Sequence, residues 1–219
     1  TITHPYRFKD QPERIYFFPG YSNIYHRVNT NNWEIQEFEL IERHSFRFSL
    51  ADHLVFVSRL KGRLFIYKDQ LDQPLWMRDF SEECRHLDPF ENIEKPGVIE
   101  KVFSYGKDKI IVNCTFSYSF CFEIHSGKLL WKKLNLGDFV IIGDEAYCYS
   151  NAGSIAKVNL KTGDFINKEK GWTRLPPMPE YNGLHISTNT HTMAYHDGIL
   201  WALVYSNGYN FLVSINPES

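Results

Sequence analysis

A hairpin at residues 119–134, SFCFEIHSGKLLWKKL, constrains the fold more than any other stretch of the sequence. Two runs rich in apolar residues flank a His-Ser-Gly-Lys turn, a pattern typical of antiparallel strands joined by a tight turn. Similar hairpins recur along the chain, with Trp33, Trp76 and Trp131 in equivalent places. The intervals between all five predicted copies of this hairpin average about 47 residues, and repeats of this length with four strands each are typical of a β-propeller.

We therefore predict an all-β fold, a small β-propeller of five four-stranded blades in a single domain over residues 1–219. The long connections at 81–97 and 169–190 account for the two longest intervals between repeats. An irregular β-sandwich is the alternative, because it also consists of short strands separated by turns. The predicted blades occupy residues 10–40, 44–80, 98–135, 138–168 and 184–216.

The two ends of the chain have to be joined if such a propeller is to close. The last predicted blade reaches Ser219 without an outer strand. We predict that residues 1–8 supply that strand or lie on the first blade, since an unpaired strand edge is unfavourable.

Composition narrows the class of protein. Of the 219 residues, 43% are hydrophobic, which suffices for a substantial core. A net charge of −2 gives no basic face for nucleic acid, and no apolar run approaches the roughly 20 residues that cross a bilayer. Four cysteines in a chain of this length are not a disulfide scaffold. We expect a soluble, cytoplasmic, monomeric protein without nucleic-acid or membrane partners.

Two known repeat families resemble parts of this sequence. The hairpin CFEIHSGKLLWKKL at 121–134 resembles the quinoprotein (PQQ-like) propeller repeat, and VNLKTGDF at 158–165 looks like a second copy. The segment GWTRLPPMPEYNG at 171–183 is instead similar to a kelch repeat. Both resemblances imply propeller blades, and the kelch likeness implies a protein-binding role. The quinone cofactor is not expected, because the larger quinoprotein enzymes have more blades and a calcium site, so we predict no cofactor.

Residues that could perform chemistry are few. Asp52-His53 could be an acid–base pair, but its place in a turn favours a turn-forming role. The cluster Cys84-Arg85-His86, after two glutamates, lacks the second ligand pair of a zinc site and is interpreted as a polar loop. Cys114 and Cys121 are expected to be core thiols. We predict no catalytic residues and no metal ligands.

The remaining candidate is a surface. In a propeller, the connections between blades share one face with the turns between second and third strands, so we predict a loop rim there. Aromatic residues and arginine are enriched in binding hot spots, and long loops are often functional. The predicted partner-binding residues are Tyr21, Arg59, Phe116, Tyr118, Trp172, Tyr181, Tyr205 and Tyr209.

This rim predicts a non-enzymatic module that binds another protein. A small, slightly acidic module of this kind could serve as an inhibitor or immunity-type partner of a toxin. The alternative is a propeller that binds a carbohydrate or small molecule, as a hydrolase or lyase with its site at the central channel.

Overall fold

The computed structural model describes thirteen stretches of the chain, and they contain strands and turns but no helix. None of the described residues therefore lies in a helix able to span a membrane. The chain divides into two compact units, Thr1–Leu130 and Trp131–Ser219, and the single domain stays a prediction. The described residues are 5–8, 11–18, 23–40, 46–50, 52–68, 71–88, 90–115, 117–134, 136–149, 154–166, 173–174, 189–206 and 209–215.

The first unit contains antiparallel sheets whose strands follow one another in chain order. The first sheet comprises β1 (Arg14–Phe17), β2 (Ile24–Asn29) and β3 (Ile35–Glu39). The second comprises β4 (Phe46–Leu50), β5 (His53–Ser58), β6 (Arg63–Lys68) and β7 (Trp76–Asp79). A two-stranded ribbon, β8 (His86–Leu87) and β9 (Glu94–Lys95), follows. The third sheet comprises β10 (Ile99–Tyr105), β11 (Lys109–Cys114), β12 (Tyr118–Glu123) and β13 (Leu129–Leu134), which contains the boundary between the units.

The second unit continues the same scheme. Its first sheet comprises β14 (Asp138–Ile142), β15 (Glu145–Tyr149), β16 (Ser154–Asn159) and β17 (Asp164–Phe165), with β18 (Thr173–Arg174) also paired to β16. Its last sheet comprises β19 (Asn189–His196), β20 (Ile199–Ser206) and β21 (Tyr209–Ile215).

Strand β5 shows why the apolar runs in the sequence form the centre of the first unit. All six of its residues are buried, as expected for a strand covered on both faces. Because successive side chains point to opposite faces, Val55 and Val57 pack into one core cluster. Leu54 and Phe56 pack into the other. This strand therefore joins the two described cores.

A tryptophan connects the second and third sheets within the first unit. The indole Nε1 of Trp76, in β7, donates a 2.7 Å hydrogen bond to the carbonyl oxygen of Ile124, at the end of β12. Gly127 lies against the ring with a φ of 67°, and a Cβ at this position would lie 2.9 Å from Cδ2 of Trp76. Only glycine combines the left-handed turn with this close approach.

The second unit repeats the arrangement. Trp131 donates a 2.7 Å hydrogen bond from Nε1 to the carbonyl oxygen of Leu160, and Gly163 lies against its ring. In both copies the glycine follows the accepting residue by three positions. Trp33 differs: it precedes β3 with a φ of 58° and is 74% exposed, so its predicted equivalence to the other two tryptophans is wrong.

The N-terminal segment lies beside the first sheet. The amide of Tyr6 donates to the carbonyl of Tyr16 at 2.9 Å, and the reverse bond is 2.8 Å. Phe8 is fully buried, with its ring edge-on to those of Tyr6 and Tyr16 at centroid distances of 4.9 and 5.2 Å. Residues 5–8 thus contribute to the core. Their completion of the last predicted blade remains a prediction.

Replacing Gly163 by alanine should test the contact with tryptophan. Gly143 is the matched control, since its φ of 61° is also left-handed but nothing lies within 4 Å of an added Cβ. We expect Gly143→Ala to lower the free energy of unfolding by about 1–2 kcal/mol through backbone strain alone. Gly163→Ala should cost about 1–3 kcal/mol more, because its methyl group meets the indole. Urea denaturation measures both, and equal losses would contradict the role assigned to Trp131.

Deleting residues 1–8 should destabilise the protein. Removing a buried phenylalanine typically costs about 3–5 kcal/mol, so we expect a loss of at least this size. Phe8→Ala should reproduce most of it, whereas Arg7→Ala, at an exposed position, should change the free energy of unfolding by less than about 0.5 kcal/mol. An unchanged melting temperature after the deletion would rule out the contribution to the core.

Candidate functional site

Loops and turns from different parts of the first unit meet at one end of its sheets. We call this the loop end and define it as the β5–β6 turn, the β11–β12 turn and the connection at 80–98. The backbone joins these segments directly, with hydrogen bonds from the amide of Ile99 to the carbonyl of Arg59 (3.2 Å), from Thr115 to Val98 (2.9 Å) and from Phe80 to Gly62 (2.8 Å). These three segments therefore lie together in this unit, and the rim as a whole remains a prediction.

Two glycines pack the base of the connection against the sheets. A Cβ on Gly62 would lie 2.3 Å from the carbonyl oxygen of Gly97, and one on Gly97 would lie equally close to that of Phe80. Cys84 is buried beside them in the core of the second and third sheets. The base of the connection is therefore fixed by close packing.

From this base the chain forms the ribbon of β8 and β9. His86 pairs with Lys95 and Leu87 with Glu94, in antiparallel register. Two further backbone bonds close the tip, from the amide of Asp88 to the carbonyl of Ile93 at 2.8 Å and from Asn92 to Asp88 at 2.9 Å. Sequence analysis interpreted this region as a polar loop; the structure shows a hydrogen-bonded ribbon.

The side chain of Asp88 orders the tip. Its Oδ1 accepts hydrogen bonds from the backbone amides of Phe90 at 2.8 Å and Glu91 at 3.0 Å. Its other oxygen lies 2.8 Å from Nζ of Lys95. The hydrogen bond from Lys95, aided by the two amides, lowers the pKa of Asp88 to about 2. The turn is thus held by an ionised carboxylate that bonds both the backbone and the opposite strand.

Large apolar side chains are exposed on this ordered ribbon. Phe90 is 89% exposed, Leu87 58% and Ile93 51%; we call these three residues the apolar tip. Leu60, in the neighbouring β5–β6 turn, is 78% exposed. The register places Leu87 and Ile93 on opposite faces of the ribbon, with Phe90 in the turn between the strands. Single exposed apolar residues are ordinary, but several within one short ribbon are typical of an interaction site.

The charges around the apolar tip are mainly negative. Residues 81–97 contain five acidic and two basic side chains, which leaves a net charge of −3. Both basic groups form ion pairs within the ribbon: Arg85 lies 2.6 Å from Glu82, and Lys95 also lies 3.0 Å from Glu91. The connection that carries the apolar tip therefore has an excess of carboxylates, although Glu83 is paired with Arg78 outside it at 2.7 Å and the neighbouring β5–β6 turn contains Arg59 and Lys61.

The structure describes four of the eight predicted partner-binding residues. Arg59 is exposed in the β5–β6 turn, at the loop end. Tyr118 begins β12 at the same end, partly buried, with its ring 6.2 Å from that of Phe120. The backbones of Tyr205 and Tyr209 lie in β20 and β21. The remaining predicted residues lie outside the described part of the chain: Tyr21, Phe116, Trp172 and Tyr181.

Sequence analysis missed the apolar tip. It named the connection 81–97 as part of the rim but selected no residue from it. The available signal was Leu87-Asp88-Pro89-Phe90, in which apolar residues flank an Asp-Pro turn signal within an acidic segment. Side-chain exposure follows from the pairing of the ribbon, which composition does not reveal.

The other residues considered for chemistry lie away from the loop end or in the core. Asp52 and His53 lie at the opposite end of the sheets, where the β4–β5 turn meets β5. Cys114 and Cys121 are buried and form no disulfide, as expected of core thiols. Burial raises the pKa of the Cys121 thiol to about 12, so this group stays protonated at neutral pH.

No family model matches this chain, and no curated protein matches it. Solved structures do resemble it. BamB from Moraxella catarrhalis, a β-propeller protein, superposes with a TM-score of 0.50 at 12% identity, covering 94% of this chain and 62% of BamB. The computationally designed Ika8 protein gives 0.53 at 10% identity, covering 93% and 55%. The chain thus spans about three-fifths of the length of these proteins. Together with the antiparallel sheets, the likeness shows an all-β, β-propeller-like fold.

The order of the apolar tip should depend on Asp88. In Asp88→Ala the amides of Phe90 and Glu91 lose their acceptor, so their hydrogen exchange should accelerate. Asp88→Asn is the matched control: its side-chain oxygen still accepts from both amides, and we expect exchange close to that of the native protein.

The same contact has a defined pH dependence. The pKa of Asp88 is depressed to about 2. The stabilisation that the ionised carboxylate gives the folded ribbon is therefore fully present above the ordinary aspartate pKa of about 3.9. It is lost as the pH falls through about 2. An NMR titration of the carboxyl group measures the midpoint, and a midpoint near the ordinary value would contradict the contacts described.

Proposed function

We propose that this chain is a five-bladed β-propeller that binds another protein through the loop end of its first unit. The blade count is supported by the five sheets of three or more strands among the described residues. Identification of the PQQ-like repeat is supported by the tryptophan–glycine contacts made by Trp76 and Trp131. The protein-binding function is supported by one observation above all, the ordered ribbon that exposes the apolar tip.

The energetics of the ribbon favour binding. Burying a phenylalanine, leucine or isoleucine side chain that is otherwise exposed contributes about 1.5–3 kcal/mol each. Because the hydrogen bonds of Asp88 already order the turn at Phe90, association loses little conformational entropy there. An aromatic anchor on a preorganised element is the usual centre of a protein–protein hot spot.

A protein is a better partner for this surface than a small ligand. The apolar tip projects on a ribbon, whereas small ligands bind in concave pockets. A stable interface covers about 800 Å² on each partner, more than three side chains provide. Arg59, Leu60 and Tyr118 at the loop end extend the surface.

The charges define the partner's chemistry. A net charge of −3 over residues 81–97 favours a partner whose apolar pocket is surrounded by lysine or arginine. Electrostatic complementarity of this kind mainly accelerates association and is screened by salt. A basic toxin or enzyme that this chain inhibits fits the description, which keeps the inhibitor or immunity-type role within the proposal.

A cytoplasmic location belongs to the proposal as well. Cys84, Cys114, Cys121 and Cys148 are all buried, and none of them forms a disulfide. Free thiols are the usual state of cysteine in a reducing compartment.

The proposal is tested with a photoreactive residue placed at position 90 of the chain in its native host. We expect a cross-link to one protein, which then binds the purified chain with defined stoichiometry. Phe90→Ser should weaken that binding at least about 30-fold, the effect of removing a hot-spot residue of about 2 kcal/mol. Leu134→Ser is the control, because this residue is 74% exposed on a strand outside the loop end and should leave the affinity unchanged.

Two further measurements separate the alternatives. Association should slow as salt is raised, since the acidic ribbon accelerates encounter. Equal loss of affinity in Phe90→Ser and Leu134→Ser would exclude the apolar tip as the binding site. Recovery of no protein partner, together with binding to a glycan array, would favour the carbohydrate-binding alternative.

A further inference from the structure

Three side chains with metal-binding chemistry converge at the end of the first unit opposite the loop end. Asp52 belongs to the β4–β5 turn, His53 is the first residue of β5, and His125 lies in the β12–β13 turn. One donor atom from each lies within 4.8 Å of the donor atoms of the other two. Sequence analysis weighed only the first two, because His125 is 72 positions away from His53.

His53 is the centre of this group. Its side chain is completely buried, and its Nδ1 lies 3.0 Å from Oδ1 of Asp52. Its ring is edge-on to that of His125, at a centroid distance of 4.6 Å. Strand pairing with Leu50 and Lys68 fixes the backbone at this position. The imidazole is therefore held in place between the other two donors.

Asp52 supplies a negative charge to the group. Lys68 lies 3.4 Å from its Oδ2, and Oδ1 is the oxygen directed at His53. The carboxylate thus divides its two oxygens between a lysine and an imidazole.

His125 gives solvent access to the group and occupies a defined turn. The residue is exposed. The amide of Ile124 before it donates to the carbonyl of Asp108 at 2.8 Å, and that of Gly127 after it donates to Glu123 at 2.9 Å. Trp76 binds the carbonyl of Ile124. The backbone is therefore fixed on both sides of His125, while its side chain can rotate and an ion can enter from water.

We propose that Asp52, His53 and His125 form a site for a divalent transition-metal ion, with zinc as the preferred occupant and water as the fourth ligand. Two imidazoles and one carboxylate suit zinc and its neighbours, whereas magnesium and calcium prefer sites made wholly of oxygen. In a tetrahedral zinc site with bonds of about 2.0 Å, donor atoms lie about 3.3 Å apart. The 3.0 Å between His53 and Asp52 already approaches this value, and rotation of the exposed His125 brings the third donor into range.

A metal ion here would connect two sheets. The β4–β5 turn belongs to the second sheet and the β12–β13 turn to the third, and both lie within the first unit. An ion that binds the folded chain and not the unfolded one raises the melting temperature in proportion to the logarithm of its concentration. The site is independent of the loop end, so it does not rest on the proposed protein partner.

Calorimetric titration of the purified, metal-free chain with zinc chloride tests the site. We expect one zinc ion per chain and a melting temperature that rises with zinc. His125→Ala is the principal variant because the residue is exposed and the chain should still fold; Asp52→Asn removes the charge but keeps the shape. Each should weaken zinc binding at least about tenfold. His196→Ala is the matched control, since this exposed histidine also neighbours an aspartate, at 3.2 Å, and should leave the affinity unchanged.

NMR locates the ion independently of affinity. Zinc should shift the imidazole signals of His53 and His125 and leave those of His196 in place. Absence of zinc binding by the native chain would overturn the proposal. So would zinc binding that survives His125→Ala or is lost in His196→Ala.

Discussion

The packing of an indole ring on a glycine turn is the interaction on which both units depend. Trp76 and Trp131 each hydrogen-bond a carbonyl oxygen at the end of another strand and cover the glycine three residues beyond it. The hydrogen bond fixes the orientation of the indole ring, and the contact with glycine fixes the distance between the ring and the turn. A sheet by itself can slide over its neighbour on an apolar surface; an indole N–H bonded to one acceptor removes that freedom.

Much of the fold was predictable because short-range sequence patterns determine its strands and turns. The stretch 98–135, predicted as one four-stranded blade, contains the four strands β10 to β13, since apolar runs and Gly turns mark their ends. Trp33 shows the limit of that reasoning. It matches the spacing of the other tryptophans but lies in a turn with left-handed backbone and is largely exposed. Spacing alone does not reveal whether a ring has a glycine to pack against.

The candidate sites were harder to predict because they are made by tertiary contacts. Arg59 and Tyr118 were named from the topology of a propeller, and topology did bring their turns to one end of the first unit. The apolar tip depends on the pairing of residues 86–95, and the group around His53 depends on a turn from another sheet. Neither arrangement follows from periodicity, since each requires the three-dimensional register of segments that are polar in sequence.

The residues that pack the ribbon into the core differ from those proposed to bind a partner. The base of the ribbon, at Cys84 and Gly97, is packed into the core, while Leu87, Phe90 and Ile93 contribute little to that core. Under the proposed function, substitutions at these three positions would change what the surface binds at small cost to folding. Selection can therefore alter the tip rapidly while the sheets beneath it stay the same. Copies of this fold with different tips would form a set of binders that share one scaffold.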